Sequence, residues 1–254
     1  ELARALAVIL VNSDTFRLLN AGPECRRQFL DWGVFHVEHS FVSLWQTYYR
    51  TLKQRNAVLR AGLSEKEIKT WNEPLINLAQ SINTYRKQYF DLFMTKFPGV
   101  LGELLTVSGI CLSYYPGWSK DKAYSLVLDE SLNRDRQLGY TQFGAHRAEI
   151  KVSADKIPAK EVLSRGQQKL FVAAMCVTQG LLYKEATKES PVYLIDDLAS
   201  ELDREKRQLL LDLLVSLDAQ SFVTVVDCAA VDFMTFEKMF HVEHGAIQAE
   251  TEKL

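Results

Sequence analysis

"VYLIDDLASELD", Val192–Asp203, decides how this chain is read. Val192 to Ile195 are four consecutive apolar residues, the pattern of a short strand buried on both faces. Two carboxylates, Asp196 and Asp197, follow at its C-terminal end. Open α/β sheets bind their ligands at that edge. A pair of acids there can hold Mg2+ through water and orient an attacking water. The plainer alternative is that Asp197 starts a turn and Asp203 caps the next helix, which a functional residue can also do.

Upstream lies "LSRGQQKLFVAAMCVTQGLL", Leu163–Leu182, which opens a helix apolar on most sides and therefore buried. Ser164 falls at its N-cap. Free amides and the positive end of the helix dipole point outward there, which suits a phosphate. Gly166 lets a ligand approach the backbone closely. A well-capped buried helix with no ligand accounts for the same local features.

The order around these motifs is helix (165–183), strand (192–196), helix (204–217), strand (221–226) and a last β element near "KMFHVEHGAIQ". "LAVILVN", near the start of the chain, adds another buried strand. Alternating buried strands and helices predict a parallel α/β layer. "NAGPECRRQFLDWGVF" carries a Gly-Pro turn and an arginine pair. Between these parts the period changes. Phe41, Trp45, Tyr48, Leu52 and Leu59, with Arg55 at the intervening seam position, are followed by Ile68, Trp71, Leu75, Leu78, Ile82, Tyr85, Tyr89 and Leu92. Steps of three and four mark a coiled-coil seam. Ser64 and Glu67 form a capping box, and Gly62 sits in the link. The expectation is an antiparallel helical hairpin over 40–97, roughly 30–40 Å long, kinked by Pro74 near the start of its second helix. "FPGVLGELLTVSGICLSYYPGW" reads as a turn and a strand, and "KDKAYSLVLDESLNRDRQLG" as a helix stopped near Gly139.

Composition sets the outer bounds. The 254 residues carry a net charge of −2, so any nucleic-acid binding relies on a local patch. Cys25, Cys111, Cys176 and Cys228 are far apart and read as reduced thiols of a cytoplasmic protein. No apolar run reaches the ~20 residues that would span a bilayer. The start, "ELARALAVILV", reads as cut from something longer. Local basic clusters are Arg50, Lys53, Arg55 and Arg60 on the arm, and Arg134, Arg136, Arg147 and Lys151 near its neck; a solvated helix face explains such clusters equally well. "FHVEH" occurs at Phe35–His39 and at Phe240–His244, expected at a helix start and in a β hairpin; its spacing is not that of a zinc motif.

The two motifs together resemble the signature, Walker B and D-loop of ABC-type ATPases. The closer resemblance is to the RecF family of bacterial recombination and repair. "AGPECRRQFLDWGVFHVE" is similar to that family's first signature and "YLIDDLASELDREKRQLL" to its second. "LSRGQQK" has the RecF form, with Arg165 where transporters have glycine. "FGAHRAEI" resembles the family's Gly-Pro-His-Arg-Asp-Asp-Leu, with Ala145, Ala148 and Glu149 at the departing positions.

The resemblance implies a partial ABC-type ATPase head, a parallel sheet with helices, formed by residues 1–35 and 139–254 around an inserted helical lobe at 36–138. It implies an ATP-dependent homodimer on single-stranded or junction DNA, with RecR and RecO as partners. Ser164, Arg165, Gly166 and Gln167 would contact nucleotide in trans. Asp196 would help hold Mg2+ through water, and Asp197 would stand where many relatives have a glutamate base. Ser200, Glu201 and Asp203 would form the D-loop. An aspartate base is one methylene shorter, which suits slow turnover. ATP itself needs a glycine-rich phosphate loop ending in Gly-Lys, and none of the 12 glycines is followed by lysine. After "SFVTVVD" come Cys228 and Ala229, not the transporters' switch histidine. A non-catalytic DNA clamp is the alternative; an SMC-class head is disfavoured by the short arm.

Overall fold

The computed structural model describes residues 6–197, 202–231, 236–244 and 246–249. In chain order the elements are β1 (Val8–Val11), α1 (Ser13–Phe16), α2 (Pro23–Val37), α3 (Phe41–Arg60), α4 (Glu65–Lys69), α5 (Asn72–Leu104), β2 (Ile110–Tyr115), α6 (Tyr124–Leu138), β3 (Glu149–Ala154), β4 (Ile157–Pro158), α7 (Ala159–Val162), α8 (Arg165–Thr187), β5 (Val192–Ile195), α9 (Arg204–Ser216), β6 (Ser221–Val223), β7 (Phe240–Glu243) and β8 (Ala246–Ala249).

Three short strands form the expected parallel layer, in the order β1-β5-β6. One face is buried: Ile9, Val11, Tyr193 and Ile195 pack inward. α8 lies against that interior, and its glycine explains how closely. A Cβ on Gly180 would sit 1.8 Å from the Tyr193 hydroxyl, so only glycine lets the helix seat on β5. Among the described residues the other face of the sheet is only partly covered. Leu10, Leu194 and Phe222 stand in one cross-strand row, and Leu10 and Phe222 are 46% and 50% exposed.

The arm forms as the seam predicts, with corrections. Tyr48, Leu52 and Leu59 on α3 are buried, as are Ile68, Leu75, Ile82 and Tyr89 on the returning strand of the hairpin. The Ser64–Glu67 capping box is present. The expected kink at Pro74 is instead a complete break. α4 ends at Lys69, Trp71 caps a new helix, and Pro74 stands in the first turn of α5, where its missing N–H costs nothing. The expected turn at "FPG" is also absent. α5 runs through Pro98 and Gly99 to Leu104, because Phe93, Phe97, Val100, Leu101 and Leu104 are buried against the common core. At 33 residues α5 is ~50 Å long. The seam fails at Leu92, which is 52% exposed, while Phe90 and Phe93 are buried. A straight helix drifts from a 3.5-residue repeat, and here the buried stripe rolls from α3 toward α8.

"GPECRRQFLDWGVF" forms α2, with Pro23 in its first turn. The first "FHVEH" therefore begins at the end of a helix, not at its start, while the second is in the β7–β8 hairpin. β2, β3 and β4 make a separate antiparallel sheet. α6 stops at Gly139, whose φ of +73° gives the left-handed C-cap that the sequence expectation placed there.

Candidate functional site

At the C-terminal edge of the parallel sheet, β5 delivers Asp196 and Asp197. The Asp196 N–H donates to Val11 O at 3.0 Å, continuing the ladder one residue beyond the strand. The chain then turns sharply, with Asp197 at φ +49°, a left-handed conformation that aspartate tolerates better than most residues. Thr224, just past β6, fixes both acids. Its hydroxyl donates to Asp196 Oδ1 at 2.7 Å and accepts from the Asp197 N–H at 2.9 Å. Sequence reasoning looked for a histidine farther along and missed Thr224. Its position beside the acids follows from the parallel register of Ile195 with Val223. Asp196 is exposed and Asp197 half-buried.

Ser164 caps α8 as expected. Its hydroxyl accepts from the Gln167 N–H at 3.3 Å, and Gln167 Oε1 accepts from the Ser164 N–H at 2.9 Å. The tip is thus held rigid while Ser164 and Arg165 stay exposed and Gly166 and Gln167 half-buried. Buried Gln168, which the sequence did not single out, anchors the tip from behind. It donates to Leu163 O at 2.9 Å and Lys160 O at 3.0 Å, and accepts from Asn20 at 2.9 Å.

Asp203 caps α9, accepting from the Lys206 N–H at 3.0 Å. The Lys206 ammonium also binds the Asp203 carboxylate, and these hydrogen bonds hold that carboxyl below its usual range. The same ammonium lies 3.1 Å from where a Cβ on Gly166 would be. Lys206 therefore joins the tips of α8 and α9. α9 follows β5 and leads into the parallel strand β6, so its N-terminus lies at the C-terminal edge of the sheet with Asp196 and Asp197, and Lys206 ties the tip of α8 to that same edge. Two helix N-termini and Arg165 suit an anion, at the edge that also carries a carboxylate pair suited to a cation. Ser200 and Glu201 lie outside the described residues.

The basic clusters divide. Arg50, Lys53, Arg60, Arg134, Arg136, Arg147 and Lys151 are exposed. Arg55 is not: its guanidinium is fully buried, 2.8 Å from Asp135, 2.9 Å from Asn72 and 2.7 Å from Thr141. Its proposed place on a DNA-facing surface is corrected by its seam position, which points it into the arm. Arg26 and Arg27 are also structural. Arg26 grips Glu149 through two nitrogens, at 2.8 and 3.2 Å, and Arg27 donates to Ala148 O at 3.0 Å. Glu149, a departure from the family pattern, thus has a defined role as the partner of Arg26.

This parallel sheet, seated on a long capped helix and edged with paired acids, defines part of an ABC-type ATPase head. No family model matches the chain. Curated relatives do. The DNA replication and repair protein RecF of Cellvibrio japonicus is 43% identical over 254 residues, covering 97% of this chain and 70% of that protein. That of Stutzerimonas stutzeri is 46% identical over 252 residues, covering 97% and 68%. The chain belongs to the RecF family. A solved structure of the recombination mediator protein RecF-ATP in the RecFOR pathway overlays with a TM-score of 0.82 at 21% identity, covering 99% of this chain and 69% of that one.

Proposed function

We propose that this chain is the signature-bearing part of a DNA-binding ATPase of recombinational repair that dimerises when ATP is bound. The observation that carries this reading is the meeting of the α8 and α9 tips at Lys206, on the side that holds Asp196 and Asp197. A surface with both features suits a second subunit carrying a triphosphate. The relatives' names speak of DNA replication and repair, and one solved relative is named with ATP.

In this reading Ser164, Arg165, Gly166 and Gln167 meet the γ-phosphate of a nucleotide held by the partner subunit. Asp196 would help hold Mg2+, which would neutralise phosphate charge, and Asp197 would orient the attacking water. Ser200, Glu201 and Asp203 cross between subunits. Residues 1–35 and 139–254 act as the ATPase core. The lobe at 36–138 helps grip single-stranded or junction DNA, using Arg50, Lys53, Arg60, Arg134 and Arg136, with Arg147 and Lys151 at its neck. Turnover is slow and times release from DNA. RecR and RecO are the partners in the cytoplasm.

The test is ATP hydrolysis by this chain mixed with a polypeptide that supplies a phosphate loop of the family. Hydrolysis in the mixture, lost in Asp196→Asn and in Ser164→Arg, supports the reading. DNA binding with no effect of nucleotide or of either substitution favours a non-catalytic clamp.

A further inference from the structure

The segment between α6 and β3 combines a rigid backbone with partly exposed aromatic rings. The Thr141 N–H and hydroxyl both donate to Asn56, at 2.8 and 2.7 Å. The Gln142 N–H donates to Asp135 at 3.1 Å, and Tyr124 donates to Phe143 O at 2.8 Å. Arg86 donates to Ala145 O at 2.6 Å, and Tyr48 meets His146 Nδ1 at 2.8 Å. Nearly every anchor comes from the helices of the lobe. Yet Tyr140 is 39% exposed and Phe143 36%. A loop so heavily tied down could have buried these rings at little added cost in order.

A cation lies beside the Tyr140 ring. The Arg147 guanidinium lies 5.8 Å from its ring centroid, and the Arg60 side chain packs on the adjacent Gly139. Four residues farther on, the Lys151 ammonium lies 5.4 Å from the Tyr115 ring. Neither Arg147, Arg60 nor Lys151 forms a salt bridge among the described residues. The nearest acid along the chain, Glu149, is taken by Arg26. Tyr140 with Arg147 and Tyr115 with Lys151 are thus two aromatic–cation pairs whose cations form no salt bridge among the described residues. A flexible strand of unpaired nucleotides asks for such pairs: rings on which bases stack and cations that meet the phosphates.

We propose that Tyr140, backed by Arg147, is a stacking site for an unpaired nucleobase. The proposal rests on the DNA-binding reading above and narrows it: this part of the molecule distinguishes single-stranded from duplex DNA, because a base paired in a helix cannot reach the ring. Pre-ordering of the loop by the lobe leaves little entropy to lose on binding.

The experiment is a fluorescence-anisotropy titration of the full chain with a thymidine homopolymer and with a blunt duplex of matched length, at one fixed salt concentration. Tyr140→Ala weakens single-strand binding about tenfold and leaves duplex binding within about twofold. Tyr140→Phe, which keeps the ring, binds like the parent. Arg147→Ala weakens both DNAs. Equal loss on both DNAs in Tyr140→Ala, or no loss on either, overturns the stacking site while leaving DNA binding intact. A parent chain that binds neither DNA overturns the DNA-binding reading and this site together.

Discussion

Around Arg55 the polar groups face one another; around Asp196 they face solvent. Arg55 and Asp135 are both fully buried, and Asn72, Thr141, Asn56 and Gln142 complete the network. Among the described residues only Arg55 Nη2 lacks a hydrogen-bond partner there. At the strand edge, Asp196, Arg165 and Ser164 are exposed, and Leu10 and Phe222 leave one face of the sheet apolar and only partly covered among the described residues. A network closed but for one nitrogen fixes geometry from within. An open edge leaves its polar groups to solvent. In the proposed reading the lobe is a support and the sheet edge one half of an interface.

The largest expected effect lies in the closed region. Asp135→Ala strands a buried guanidinium and should lower stability by ~3–5 kcal/mol, read from urea unfolding. Adding Arg55→Met to it should recover a substantial part of that loss, since no unpaired charge then remains. If Asp135→Ala is mild, the interior of the lobe is not closed as described.

A second effect separates the regions by pH. Burial pushes the His146 ring down to about 4. Its Nε2 faces Thr141 O at 3.0 Å and so carries the proton, leaving Nδ1 to accept from Tyr48. The unfolded chain takes up a proton as pH falls through about 6.5, while the folded ring stays neutral. Stability is fully present above pH 6.5, falls between about 6.5 and 4, and is flat below for this group. The loss amounts to about 3 kcal/mol. His146→Gln should remove that slope relative to the parent; an unchanged difference between pH 7 and pH 5 would place His146 in contact with solvent.

Smaller effects belong to the open edge. Asp203→Ala removes the α9 cap and should cost ~1 kcal/mol by thermal unfolding. Leu10→Ser with Phe222→Ser should cost about 1 kcal/mol each and raise solubility, because each side chain is only about half covered. A large loss there would mean that the face is already packed.

Much of this was legible in the residues because the signals were local. Ser64 with Glu67 and Ser164 with Gln167 spell their capping boxes three residues apart, Gly139 stops α6, and Val192–Ile195 is too short and apolar for anything but a strand. What escaped depended on distant partners. Arg55 reads as a surface cation until Asp135, 80 residues away, is placed beside it. Thr224 meets Asp196 only through strand register. Pro98 reads as a stop, yet the apolar residues around it gain more from burial than the helix loses in one hydrogen bond. At the site, the acids and the signature tip were visible in sequence, whereas their link through Lys206 was not.

The most direct test is amide hydrogen exchange in this chain, mixed with a polypeptide supplying the family's phosphate loop, with and without ATP. Protection gained with ATP at residues 164–168 and 203–207, and unchanged exchange around Asn56 and Thr141, is the expected result. Unchanged exchange at both helix tips, or protection confined to the lobe, would contradict the assignment of this edge as a nucleotide-bearing interface.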